Sequence, residues 1–357
     1  MLSLLALLGV VALGQTQTTT NYPGYVENGT STVQFTVQSS SGFDGPKVDF
    51  YNATSSQWWY FDVVSNDLKE SVVLTLMGNS PAATSSPPGL LPFNLIEVNI
   101  QLANGTLVAF TAGAQSITIT TTGNGSAGIM NGAGYGWSET SDLSTLLIEI
   151  DDVVNNFSGT IQVNSDAPHH ASCGPAVLGA SLLVSPHLGW GNSIPDGTAT
   201  VDFVLNNQQI SYTGRGYHDS NWGDRAFTED LGSWYWGHAR FGSYSLVWFD
   251  MMDNTGVEHQ LGYLAQNGAV VANSCGAMPV RPTGSNSAYP PIPGLLPTGF
   301  QIVYDMGSAG VLEVNVTNYL PIVQYPGLYT RWVGSVAGGI QGQTTYTGVA
   351  LYEEMGG

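Results

Sequence analysis

The chain has 357 residues, 43% hydrophobic and only 9% charged, which allows sizeable cores and, by length, two domains. Seven basic residues stand against 26 acidic ones, for a net charge of −19. That balance excludes nucleic-acid binding, which needs Lys and Arg against phosphates, and disfavours attraction to an anionic membrane surface.

Residues 1–18 open on MLSLLALLGVVALGQT, the apolar core of a secretory signal peptide, with cleavage expected between Gly14 and Thr18. The run is too short to span a bilayer, and no other stretch is long and apolar enough. Six N-x-S/T glycosylation sequons, at Asn28, Asn52, Asn104, Asn124, Asn156 and Asn315, agree with a secreted or vacuolar, luminal destination. Cys173 and Cys275, an even pair in an oxidising compartment, suggest one disulfide.

From STVQFTVQ (31–38) onward the pattern is period two. Val33, Phe35 and Val37 alternate with Thr32, Gln34 and Thr36. SVVLTLMG, LIEVNIQL, QSITITTT, TLLIEIDDVV, TATVDFVL, YSLVWFDMM, FQIVYDM and LEVNVTN follow as short runs bounded by Gly, Pro or Asn. With no capped helical stripe, this spacing predicts an all-β sandwich or barrel. Two Pro-rich stretches, 78–93 and 281–299, read as long loops, which in such folds tend to line binding sites. GNGSAG (123–128) satisfies G-x-G-x-x-G but lacks a βαβ setting, so it reads as a glycine turn. G-x-S-x-G, Walker A and H-E-x-x-H motifs are all absent.

Two aromatic segments stand out. In QWWYFDVV (57–64), strand geometry puts Trp58, Tyr60 and Asp62 on one face and Trp59, Phe61 and Val63 on the other. In SWYWGHARF (233–241), Trp234, Trp236, His238 and Arg240 share a face. Such a face suits either the wall of a small-molecule cavity or a packed core with His238 and Arg240 at its rim. In GRGYHDSNWGD (214–224), His218 and Asp219 would point to opposite faces of a strand and could not pair. The segment reads as a well-bonded turn: Asp219 and Asn221 satisfy backbone donors, and Arg215 meets a carboxylate. The functional alternative makes His218 an acid or base. His187, His238 and His259 show no metal-ligand spacing, so neither metal nor cofactor is expected.

QWWYFDVV followed about 160 residues later by GRGYHDSNWGD resembles the lipocalin-like superfamily of carotenoid hydratases (hydroxyneurosporene synthases) and fungal Diels–Alderases. The ending YTRWVGSVAGGIQGQTTYTGVALYEEM (329–355) is similar to the closing strands of the fungal branch. The resemblance implies two packed lipocalin-like β domains, 21–213 and 214–357, with the ligand cavity between them and 214–224 as the seam. Cys173 and Cys275 then lie on opposite sides of that seam. It further implies Tyr60 in the cavity, Trp222 walling it and Asp44 as a pocket carboxylate. Family members that use a late lysine have no counterpart here, where Lys47 and Lys69 are the only two, so Arg331 or Arg240 would substitute.

The catalytic candidates are therefore Tyr60, His238, Arg240, His218 and Asp44. Trp58, Tyr217, Trp222, Trp234, Trp236, Trp248, Arg331 and Trp332 are the substrate-binding candidates. The resemblance implies a cofactor-independent pericyclase. It would template a polyene, polyketide or terpenoid for a Diels–Alder or hetero-Diels–Alder [4+2] cycloaddition and polarise it by hydrogen bonds. The alternatives are a hydratase of an isoprenoid double bond, with Asp219 or Asp44 as acid, and a non-catalytic carrier of apolar ligands.

Overall fold

A computed structural model describes residues 17–79, 91–292 and 294–356. Residues 1–16 of the expected signal peptide and 80–90 of the first Pro-rich loop lie outside them. The alternating Val, Thr, Ile and Tyr runs form antiparallel strands almost throughout. The helical pieces among the described residues are the short segment Phe227–Asp230 and the 3-10 turn Gly307–Ala309.

The strands make two curled sheets. In the first, neighbours run Gln17–Pro23, Ser116–Thr122, Gly125–Asn131, Tyr135–Glu139, Thr145–Asp152, Phe157–Ser165, Leu188–Leu205, Gln208–Gly223, Ser56–Ser65, Ser71–Asn79, Leu95–Gln101 and Leu107–Gly113. In the second they run Ala269–Cys275, Glu258–Gln266, Tyr244–Asp253, Leu231–Phe241, Tyr346–Gly356, Tyr329–Ile340, Val311–Tyr325, Gly299–Asp305 and Val280–Thr283. The fold is all-β, as its sequence predicts.

Each sheet encloses its own core. Trp59, Phe61, Leu74, Trp137, Ile148 and Phe203 fill the first; Phe241, Leu246, Trp248, Phe300, Trp332 and Tyr352 fill the second. A third cluster, with Tyr60, Trp190, Tyr217, Trp236, Val247 and Phe249, joins the sheets face to face. Burial contributes roughly 1.5–3 kcal/mol for each Leu, Ile or Phe, and it must offset the ordering of a chain with almost no local helix.

The two longest first-sheet strands show where the sheets meet. Leu188–Leu205 and Gln208–Gly223 are joined at Asn206 and Asn207, whose left-handed backbone (φ 51° and 64°) suits a two-residue hairpin turn. Near that turn inward and outward residues alternate. From Tyr217 to Gly223 every residue is buried, because both faces are covered.

The segment 214–224 is thus regular strand up to Gly223, not a turn. It pairs with Ser56–Ser65 along its whole length, from Gly214 opposite Ser65 to Gly223 opposite Ser56. The boundary drawn between 213 and 214 falls inside this strand, and the second sheet opens at Leu231. A sequence rich in Asp, Asn and Gly reads as a turn because those residues favour one in isolation; here buried partners satisfy them instead.

Cys173, beside the first sheet, and Cys275, at the end of the second sheet's edge strand, form a disulfide. Five of the six predicted sequon asparagines are exposed, and Asn52 is half-buried. Among the described residues no helix is long and apolar enough to cross a membrane.

Because the disulfide spans 102 residues, chain entropy predicts that its loss costs about 4–5 kcal/mol. Replacing both cysteines with serine should therefore lower the thermal midpoint by several degrees in calorimetry. An unchanged midpoint would mean that the cross-link does not constrain the unfolded chain.

Candidate functional site

A cavity of about 270 Å³ opens between the sheets. This is close to the lower end of the roughly 300–1,000 Å³ usual for ligand pockets. The first sheet supplies Trp58 and Tyr60, Thr75 and Met77, Glu97 and Asn99, and Asp219 and Asn221. The second supplies Trp234, Trp236, Phe249, Val323, Tyr329, Arg331, Glu353 and Met355, while Phe227 lies in the connection. Tyr325 and Leu328 also line it, and both are more than half exposed (55% and 59%), so their hairpin forms the mouth.

Strand register fixes these positions. Tyr60 lies opposite Asp219 and Trp58 opposite Asn221, so all four share the cavity face. Phe61 opposite His218, and Trp59 opposite Ser220, face the first core. The aromatic wall is continuous and edge-to-face. Trp58 meets Phe227, Phe227 meets Trp234, and Trp234 meets Phe249, at centroid distances of 5.8, 5.0 and 5.3 Å. Tyr60 meets Trp236 at 5.1 Å.

Several polar groups are set into this wall. The Tyr60 hydroxyl and Trp234 Nε1 are buried without a hydrogen-bond partner. Trp236 Nε1, beside the Tyr217 hydroxyl, makes no well-formed bond either. Burial holds the Tyr60 phenol far above its usual range, so it remains a donor. Unpaired buried donors along a cavity wall are free to bind an acceptor on a guest.

Three carboxyl groups face the same space. Asp219 accepts from Tyr217 Oη (2.7 Å), Trp190 Nε1 (2.8 Å) and Asn221 Nδ2 (2.7 Å). Burial outweighs these donors and pushes its carboxyl up to about 6. Burial also raises Glu97, against the opposing pull of Arg331. Glu353 is paired with Arg331 at 3.0 Å and accepts from the Tyr329 hydroxyl. The Arg331 guanidinium lies 5.0 Å from the Tyr60 ring centre and 5.3 Å from that of Tyr329.

Of the candidates read from sequence, the cavity brings together Trp58, Tyr60, Trp234, Trp236 and Arg331. Tyr217 packs just beneath it, edge-on to Tyr60 and Trp236. The remaining candidates are elsewhere. His238 shares the indole face but lies deeper, with Nε2 2.9 Å from Asp62. Arg240 is further along the same strand, bound to Asp196 at 2.6 Å, and Arg215 reaches that carboxylate as well.

Trp222 belongs to the first core: its Nε1 donates to Gln34 O (2.8 Å), and a Cβ at Gly189 would lie 2.3 Å from its indole. Trp248 and Trp332 fill the second core. Asp44 and His218 sit together on the far side of the strand pair, 3.2 Å apart. The parity of the strand decides these cases, since even positions from 218 to 222 face away from the cavity. Near His218 and Asp44, Glu139 completes a buried three-residue set able to hold a metal ion.

Sequence reasoning missed Glu97, Asn99, Tyr329 and Glu353 as wall residues. Their signal is a polar face on an otherwise apolar strand: LIEVNIQ places Glu97 and Asn99 together, and LYEEM places Glu353 between Leu351 and Met355.

An all-β chain whose two sheets enclose an indole-lined cavity with buried donors and carboxyls defines a ligand-binding class of lipocalin-like architecture. The Diels-Alderase-like family signature matches residues 23–282, and the chain belongs to that family. The quinolone epoxide rearrangement protein asqO of Emericella nidulans is 32% identical, over 94% of this chain and 92% of its own. Its counterpart penF of Penicillium thymicola is 33% identical, over 94% of both. The Diels-Alderase pyiF of Pyricularia grisea is 24% identical over 69% of this chain and 59% of its own. The crystal structure of CghA with Sch210972 superposes with a TM-score of 0.77 at 15% identity, covering 95% of this chain and 98% of that one. The homologues are enzymes that act on small molecules.

The Arg331–Glu353 pair is buried, with side-chain exposures of 9% and 7%. Glu353→Gln should leave the guanidinium without its counter-charge and destabilise the fold by about 3–5 kcal/mol in urea titration. A midpoint equal to wild type would mean that Arg331 finds another anion.

Proposed function

We propose that this protein isomerises an epoxide carried on a flat, largely apolar heteroaromatic molecule of the quinolone class, using a proton from the cavity wall. One observation carries the reading: Asp219, a carboxyl held up near 6, lies across a strand register from the unpaired hydroxyl of Tyr60. The two relatives that match over nearly their whole length, both named for quinolone epoxide rearrangement, support the substrate class.

Protonated Asp219 gives its proton to the epoxide oxygen as a C–O bond breaks. Tyr60 and the Trp234 indole N–H hold that oxygen as it gains charge. The electron-rich ring faces of Trp58, Trp236 and Phe249 stabilise the carbon cation left behind. The same carboxylate recovers a proton when the cation closes or eliminates, so the product is an isomer and no water enters. Exclusion of water by the aromatic wall protects the cation from hydration. The expected signal peptide, with the disulfide, supports a site of action in the secretory pathway.

A second reading keeps the [4+2] cycloaddition inferred from the sequence, supported by the family and by the enclosed aromatic cavity between the sheets. The two readings separate by pH. An acid whose pKa is raised to about 6 is protonated below that value, so an epoxide rearrangement should run fully below pH 6 and lose about tenfold per unit above it.

The test is turnover of an aryl-quinolone epoxide from pH 5 to 8, followed by chromatography and mass spectrometry. Asp219→Asn should remove the acid limb, whereas Glu97→Gln should keep it. Tyr60→Phe should lower the rate roughly tenfold with the limb in place. A flat profile with a polyene substrate favours cycloaddition, incorporation of labelled water marks a hydratase, and a guest returned unaltered marks a carrier.

A further inference from the structure

The strand pair that shows Tyr60 and Asp219 to the cavity shows His218 to the opposite side, inside the first core. His218 is wholly buried and stacks on Phe61 at 4.3 Å. Its Nδ1 lies 2.9 Å from the Tyr60 carbonyl oxygen, so that nitrogen carries a proton and donates it. Nε2 thereby faces inward, toward Asp44 and Glu139.

Four polar atoms converge there without a hydrogen-bond partner: His218 Nε2, Asp44 Oδ1 and both oxygens of Glu139. The ligating atoms of the three residues all lie within 4.8 Å of one another. Glu139 makes no hydrogen bond to either neighbour, and the 3.2 Å contact between His218 and Asp44 is not an aligned one. Ligands 2.0–2.2 Å from one metal lie up to about 4.4 Å apart, so the three residues need draw together only slightly to share an ion.

Outer contacts also hold the ligands in place, as around bound metals. The second oxygen of Asp44 accepts from the Ser126 hydroxyl, and Trp137 Nε1 fixes that hydroxyl at 2.9 Å. The Lys47 ammonium is held by the Gly42 and Gly45 carbonyls.

We propose that Asp44, Glu139 and His218 bind one divalent transition-metal ion, with zinc the first candidate for a set of one nitrogen and two carboxylates. The ion is structural. Asp44 belongs to the long segment 24–55, which is tied down by isolated bridges such as Val33 to Val48 and Thr36 to Ser181. Bridging Asp44 to Glu139 and His218 fastens that segment to the sheet. Through His218 and the Tyr60 carbonyl it also steadies the two strands behind the cavity. The proposal does not require the epoxide reading.

The test measures metal directly. Full-length protein produced with zinc in the medium should carry about one ion per chain by plasma mass spectrometry. Chelation should lower the thermal midpoint, and added zinc should restore it. Glu139→Gln should lose the metal at least about tenfold and with it the response to zinc.

Wild-type protein with less than about a tenth of an ion per chain, and no shift on adding zinc, would overturn the proposal in favour of protons or a water held by the cluster. Metal retained in full by Glu139→Gln would also overturn it, by placing the ion at a surface pair such as His187 with Asp224. If that variant fails to fold, anomalous diffraction from wild-type crystals at the zinc edge decides: density between the three residues supports the site, and none there overturns it.

Discussion

The structure depends on two strands, Ser56–Ser65 and Gln208–Gly223, being covered on both faces at once. Successive residues in a strand point to opposite sides, so each register pair is committed to one compartment. Tyr60 and Asp219 face the cavity; Phe61 and His218, one step along, face the first core. A slip of one residue would exchange the two sets, placing an imidazole against the guest and a carboxylate among apolar rings. Packing on both sides holds that register.

The cavity persists because its walls are rings held by their edges. Trp58, Phe227, Trp234 and Phe249 meet in turn at steep angles, and Tyr60 stands nearly perpendicular to Trp236. Large planar side chains locked in this way cannot slide into the void without giving up contacts elsewhere. The polar groups between them are buried, so they interact with a guest more strongly than they would in water.

Much of this was legible in the sequence. Period-two runs gave the fold class, and the faces of QWWYFDVV and SWYWGHARF placed Trp58, Tyr60, Trp234 and Trp236 together. Their place on the cavity follows from strand parity. What parity along one strand could not supply is depth: His238 and Arg240 share the indole face yet lie past the cavity floor, beside Asp62 and Asp196. Nor can it say which side of 214–224 faces which sheet, so Trp222 and His218 read together with Tyr217 although strand alternation divides them. Glu97 and Glu353 read as part of a solvated face, as a carboxylate in a strand does, whereas here the opposing sheet covers them.

The sheets are held at particular places. Arg240 reaches Asp196 six residues along from Trp234, roughly 20 Å at the rise of a strand, and the disulfide closes a lateral edge. Neither touches the Tyr325–Leu328 hairpin at the entrance. Floor and doorway are thus separable inheritances: the floor is fixed by packing, while side chains more than half in water can be exchanged with little penalty to folding. Substitutions at that surface turn can reshape the entrance while the packed floor keeps its geometry.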